Sequence, residues 1–169
     1  MNWEAVGAIG ELLGGLVVIF SLVYVGVQIR QSTALARATA QRDLYESYQK
    51  YLYKVAEHSD LFRRAIHDFS SLSKPEQIEF NMYISPFVNH LDQTLRMYKA
   101  GFETADNVQV YGDICMSILS TRGGRAWWEM SKGNFVREGQ KYIEDRFQDP
   151  STLPPPLQDT MPFFGMDDA

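Results

Sequence analysis

The chain has 169 residues, a formal net charge of −5 at pH 7 and one cysteine. Its basic residues alternate with acids instead of forming a patch, so it is not expected to bind nucleic acid. A single cysteine excludes an intrachain disulfide and is typical of a reducing compartment. A chain of this length has room for one modest domain with a single core.

The N-terminal part of the chain is an apolar run. Residues 5–27 contain one charged side chain, Glu11. A helix of about 23 residues, with a rise of about 1.5 Å per residue, is about 34 Å long and can cross a hydrocarbon core of about 30 Å. The sequence therefore predicts that residues 1–30 form a transmembrane anchor helix in contact with membrane lipid.

The arginines nearest to this run indicate its orientation. A secretory signal peptide, the alternative to an anchor, carries Lys or Arg before its apolar run, whereas Arg30, Arg37 and Arg42 follow this one. Cytoplasmic flanks of membrane helices are enriched in Lys and Arg. We therefore expect a single-pass protein with its N-terminus outside and its C-terminal domain in the cytoplasm.

Small side chains recur on one side of the predicted anchor. Helices in lipid associate where small residues let their backbones approach closely. Gly10 and Gly14 form a G-x-x-x-G pattern, which is weakly specific by itself. We expect a homo-oligomer whose first helices pack through this face. The predicted interface residues are Gly7, Gly10, Gly14, Gly15 and Ser21.

Glu11 has two interpretations. In the first, it lies within reach of the outer headgroups and extends its carboxylate to them. In the second, it is turned towards protein, because a carboxylate facing lipid is costly. Its helical neighbours at three and four residues include Gly7, Gly14 and Gly15, so it lies on the small-residue side. One Glu11 per subunit around a shared axis would line a cation pathway.

Residues 31–148 are predicted to form a cytoplasmic helical bundle. Residues 31–58 contain no Gly or Pro, so the anchor helix is expected to continue to about Ala56. Ser73 and Glu76 form a capping box, which predicts the start of a long helix that stops near Gly101. No segment alternates as a strand would, so the predicted fold class is all-α.

Glycines divide the last part of the predicted bundle. Gly123 and Gly124 lack the Lys and Ser or Thr of a phosphate loop, so we interpret them as a helix-breaking turn. The last helix is expected to run from about Ala126 towards residue 147. Gly133 and Gly139 weaken this helix and are the points where it can divide.

Arg122, Arg125, Trp127 and Trp128 are the most unusual cluster of the predicted bundle. Adjacent residues on a helix lie about 100° apart, so one indole can be buried while the other faces outward. An exposed Trp beside an arginine would suit an anionic headgroup, an unidentified partner chain or the C-terminal tail. The alternative is that both tryptophans lie in the core and the arginines form salt bridges.

Residues 149–169 differ in composition, because they contain five of the seven prolines of the chain. Such a composition predicts an extended, Pro-rich tail. Disorder is one interpretation of this tail. The other is that it packs on its own domain or on a neighbouring subunit, with the apolar residues 161–166 filling a groove.

Two segments carry a resemblance to a known family. They are the anchor with its exit, WEAVGAIGELLGGLVVIFSLVYVGVQIRQST, and the later GGRAWWEMSKGNF. With these residues, the chain resembles a family of small bacterial membrane-anchored helical proteins. The resemblance implies a helical domain anchored in the bacterial inner membrane, and it implies no substrate, cofactor or catalytic residue.

No pattern in the sequence points to catalysis. His58, His67 and His90 form neither H-E-x-x-H nor a Glu-x-x-His pair for a di-iron bundle. We expect them to be structural or at the surface, although a spatial cluster would revive a metal or acid–base site. Cys115 lies among apolar residues and is interpreted as a core residue. We therefore expect no catalytic residue, no metal and no cofactor.

Three functions remain to be compared. The first is a non-enzymatic, membrane-anchored homo-oligomeric scaffold or interaction protein. The second is an oligomeric ion channel or pore in which Glu11 lines the membrane passage. A membrane-tethered enzyme ranks lowest, because no acid–base or nucleophile constellation is recognisable.

Overall fold

The computed structural model describes residues 3–165, and all regular secondary structure in that range is helical. The predicted all-α fold class is confirmed. The helices are α1 (Trp3–Glu57), α2 (Ser59–Asp68), α3 (Lys74–Lys99), α4 (Ala105–Leu119), α5 (Arg122–Ser131), α6 (Arg137–Gln148) and α7 (Leu157–Thr160). Short 3-10 turns occupy Phe69–Ser71, Lys132–Asn134, Pro150–Thr152 and Pro162–Phe164.

The chain divides into two structural units, Met1–Ala40 and Gln41–Ala169. In the first unit, α1 is helical from Trp3 onwards, through every glycine of the anchor. Glycine disfavours helices in water, but in lipid each backbone N–H and C=O must be satisfied within the segment, which favours the helix. α1 ends at Glu57, close to the predicted end at Ala56.

In the second unit, one apolar core lies among the end of α1 and the helices α2 to α6. The predicted start of α3 is confirmed: the Glu76 carboxylate accepts hydrogen bonds from the backbone N–H and the hydroxyl of Ser73, at 2.9 and 2.7 Å. These bonds hold the pKa of Glu76 at about 2, well below its usual range. The largest core side chains include Trp127, Trp128, Phe62 and Phe80.

The start of α5 corrects the prediction of a break at Gly123 and Gly124. α5 begins at Arg122, four residues before the predicted start, and both glycines lie in its first turn. Thr121 caps it, because its Oγ1 accepts a hydrogen bond from the Gly124 N–H at 3.0 Å. The last helix divides at Gly133, because the turn at Lys132–Asn134 separates α5 from α6, but it does not divide at Gly139, which lies inside α6.

A Cβ atom on Gly123 would lie 1.7 Å from the carbonyl oxygen of Ala65 in α2. A Cβ atom on Gly124 would lie 2.2 Å from the Ile118 carbonyl oxygen. The two glycines therefore permit a close approach of backbones, which is a packing requirement and not a local break.

The tail is predicted to be extended, and this prediction is corrected because part of the tail is helical. It contains α7 and two of the 3-10 turns, Pro150–Thr152 and Pro162–Phe164. It packs on its own domain: Leu157 is buried, the Ser117 hydroxyl donates to the Pro155 carbonyl at 3.0 Å, and His67 Nε2 lies 3.0 Å from the Phe164 carbonyl. The last part of the predicted tail, residues 166–169, lies outside the described residues.

Candidate functional site

The exposed apolar surface of α1 is the main candidate for a functional surface. Its N-terminal part is long and apolar enough to cross a membrane, and none of its most apolar stretch is buried inside the chain. All fifteen large apolar side chains between Val6 and Ile29 are exposed. Every predicted interface residue therefore lies on a surface that the described part of the chain leaves open.

The helical geometry of α1 brings four of the five predicted interface residues together. At about 100° per residue, Gly7, Gly10, Gly14 and Ser21 fall within an arc of about 60°. Gly15 lies farther round the helix, on the far side of Glu11. A Cβ atom placed on any of the four glycines would meet no described atom within 4 Å. This face is therefore open for a close approach by another helix.

Glu11 lies beside this face, about 40° from Gly7 and about 60° from Gly14 around the helix. Its side chain is exposed in the single chain. A carboxylate here can accept hydrogen bonds or attract a cation, and it brings negative charge next to a surface suited to helix packing.

The structure corrects the hypothesis that a tryptophan is exposed beside the arginines. Trp127 and Trp128 are 2% and 0% exposed. The Trp127 indole N–H donates to Asn81 Oδ1 at 3.0 Å, and the Trp128 indole N–H donates to Glu144 Oε1 at 2.6 Å. Both rings are buried although they are adjacent, because α5 is covered on more than one side and each indole N–H has a partner.

The arginines of this cluster interact with their own domain. Arg122 lies 3.4 Å from an Asp68 carboxylate oxygen, and Arg125 lies 3.4 Å from one of Glu129. The Arg125 guanidinium also stacks over the Phe147 ring, 3.6 Å from its centroid. The tryptophans of the cluster therefore belong to the core, the arginines contact residues of their own domain, and the two indole rings form no exposed ligand surface.

The structure places the three histidines in separate environments. His58 Nδ1 lies 2.8 Å from Glu79 Oε1, while His67 contacts the tail. Within residues 3–165, no group of three or more His, Cys, Asp or Glu side chains is arranged to hold a metal ion. The histidines are not brought together into one site.

His90 is enclosed by aromatic rings. It is 2% exposed, and its ring centroid lies 4.8 Å from that of Tyr48 and 4.5 Å from that of Tyr111. Neither ring nitrogen has a hydrogen-bond partner among the described residues. Burial lowers the pKa of His90 to about 4 and raises the pKa of Tyr48 to about 12, so both side chains are neutral at pH 7.

Cys115 is part of the core, as predicted. It is buried, and burial raises the pKa of its thiol to about 12. The thiolate is the reactive form, so this thiol is poorly reactive at neutral pH.

Sequence reasoning missed the residues that complete these environments. Asn81 on α3 and Glu144 on α6 accept hydrogen bonds from the two indole N–H groups on α5, and no local pattern identifies them. Tyr48 and Tyr111 enclose His90 from α1 and α4. The sequence indicates the burial of His90 only by its position, three residues after Phe87 on the apolar face of α3.

No protein-family model, curated protein or solved structure matches the chain.

Proposed function

We propose that this chain is a non-enzymatic, single-pass membrane protein of the bacterial inner membrane that associates with copies of itself and displays its helical domain in the cytoplasm. Its function is then that of a scaffold or interaction protein. The observation that carries the proposal is the apolar surface of α1, which the rest of the described chain does not cover.

The size of this surface favours a membrane location. Burying one large apolar side chain is worth about 1.5–3 kcal/mol. Leaving fifteen of them in water therefore forgoes more than about 20 kcal/mol. A typical domain is stable by only about 5–15 kcal/mol. In a bilayer, lipid covers these side chains, so they need no protein partner to be removed from water.

Two features support the orientation and the self-association. Arg30 and Arg37 follow the apolar run, which favours a cytoplasmic location for its C-terminal end. The glycines Gly7, Gly10 and Gly14 share one side of α1, and a Cβ atom at any of them would meet no described atom within 4 Å. Contact with lipid does not require glycine, whereas close packing of a second helix does. The family resemblance of the anchor and of residues 123–135 agrees with a bacterial membrane-anchored helical protein.

Native mass spectrometry of the full chain in detergent tests the self-association. We expect an oligomer for the native chain and a shift towards monomer for Gly14→Leu, because a leucine holds the helix backbones apart. Gly26→Leu is the matched control: it makes the same change about 120° away on the same helix, where a Cβ atom also meets nothing within 4 Å. A monomeric native chain would contradict the proposal.

A cation pore is the second candidate, favoured by the acidic side chain that lies within the apolar segment beside the glycine face. For a pore, we expect a cation current across a planar bilayer that Glu11→Gln strongly reduces, with the oligomer mass unchanged. A scaffold gives no current from either protein. The measurement therefore separates the two functions.

A further inference from the structure

A seven-residue spacing runs along the first unit, beyond the predicted interface. It consists of two series of residues, each with a spacing of seven, and every residue of the second series follows one of the first by three positions. Together we call these residues the seam. The seam residues are Gly7, Gly14, Ser21, Gln28 and Leu35 in the first series, and Gly10, Val17, Tyr24, Gln31 and Ala38 in the second. All of them are helical and exposed in the single chain.

This spacing has a geometric consequence. On a straight helix, residues seven apart drift by about 20° around the axis, so a seam of four heptads turns away from a straight partner. Two helices that coil around each other with a left-handed supercoil keep such residues in contact throughout. The period of the seam therefore favours one handedness of packing.

Side-chain character differs between the seam and the opposite side of α1. In the apolar segment, the opposite side carries large branched residues that suit lipid: Ile9, Leu12, Leu16, Ile19 and Val23. The seam begins with glycines, carries large apolar side chains only at Val17, Tyr24 and Leu35, and has polar amides at Gln28 and Gln31. Arg30 lies off the seam, so a parallel pair does not bring its charge against its own copy.

We infer that a second copy of this chain packs in parallel and in register along the seam from Gly7 to Ala38, in a left-handed supercoil. The inference rests on the proposed self-association and specifies its geometry and extent. Seam and flanking residues give about 20 residues per copy, which reaches the 20–30 of a standard stable interface. A contact restricted to the small residues of the anchor would fall well short of this number.

Gln28 is suited to fix the register of the pair. It lies at a seam position near the end of the apolar segment, and its Nε2 donates to the Tyr24 hydroxyl at 3.2 Å in the same helix. A polar residue at a seam position favours one alignment. In register each Gln28 meets its own copy, whereas a shift of seven residues would place it opposite Leu35 of one copy and Ser21 of the other. In register, the second amide hydrogen and the carbonyl of each Gln28 can bind the other copy.

The competing geometry is a right-handed crossing centred on Gly10 and Gly14. Such crossings have an angle of about 40°. Leu35 lies about 34 Å along the helix from this centre, so the two axes would there be displaced sideways by about 24 Å and would lie about 25 Å apart. In the left-handed pair, the axes at Leu35 stay about 8–10 Å apart.

Disulfide crosslinking distinguishes the two geometries; it is carried out in isolated membranes with an added oxidant, because the cytoplasmic side is reducing. We expect Leu35→Cys and Ala38→Cys to form disulfide-linked dimers at least fivefold more than Thr33→Cys and Ala36→Cys, which lie off the seam. Val17→Cys reports contact within the anchor, where both geometries permit it. The native chain is the background control, because its one thiol, Cys115, is buried and has a raised pKa.

Three outcomes would contradict the proposals, two of them the seam and one the self-association. Dimers at Val17→Cys without dimers at Leu35→Cys and Ala38→Cys would overturn the left-handed seam and leave self-association standing. Equal dimer formation at all four positions from Thr33 to Ala38 would also overturn the seam, since it indicates contact without register. No dimers at any position, with a monomeric mass in detergent, would overturn the proposed self-association itself.

Discussion

Gly123→Ala is expected to destabilise the second unit by about 3 kcal/mol or more, at the upper end of the cost of overpacking. The added Cβ would lie 1.7 Å from the Ala65 carbonyl oxygen and 2.8 Å from its carbonyl carbon. These atoms belong to the backbone of α2, so no side-chain rotation can make room. α5 must move away from α2, and the packing of Trp127 and Trp128 is disturbed with it.

The free energy of unfolding is measured by urea titration of the full chain in detergent, followed by tryptophan fluorescence. Gly133→Ala is the matched control, because a Cβ there meets nothing within 4 Å and the backbone has no positive φ. It should change the stability by less than about 1 kcal/mol, in the stabilising direction. Equal stabilities for the two variants would show that α5 does not need its close approach to α2.

Stability is expected to fall by about 3 kcal/mol between pH 6.5 and pH 4 through His90 alone. The pKa of His90 is about 4 in the folded chain and about 6.5 in the unfolded chain. Between these values the unfolded state binds more protons, so this contribution is complete above pH 6.5 and is lost as the pH falls towards 4.

The groups facing His90 do not compensate for its protonation. Tyr48 and Tyr111 have raised pKa values and stay neutral over this range, as does Cys115. Glu103 is the acidic group that favours the protonated ring, and its effect is smaller than that of burial. A charged imidazole would therefore lie between two aromatic rings with neither nitrogen bonded to a described residue.

His90→Phe keeps an aromatic ring in this enclosure and removes the titration. The measurement is urea unfolding of both proteins at pH 7, 5.5 and 4. We expect the difference in stability between native chain and variant to change by about 3 kcal/mol over this range. A difference that is constant with pH would show that His90 is hydrated or bonded in the folded state.

Much of the fold follows from local sequence signals. The length and hydropathy of residues 5–27 predict the N-terminal helix, the absence of Gly and Pro over residues 31–58 predicts its continuation, and Ser73 with Glu76 predicts the start of α3. These features depend on interactions within a few residues, which a sequence displays directly. The glycine face of α1 follows in the same way, because helical spacing alone decides which residues share a side.

The remaining features depend on which distant segments meet. By itself, the sequence determined an all-α chain with an apolar first helix and one face of small residues. Only the tertiary structure decided that Gly123 makes room for Ala65, that Asn81 and Glu144 allow both tryptophans to be buried, and that two tyrosines enclose His90. The physical reason is that burial and close approach belong to pairs of surfaces, whereas helical propensity, capping and periodicity belong to one segment.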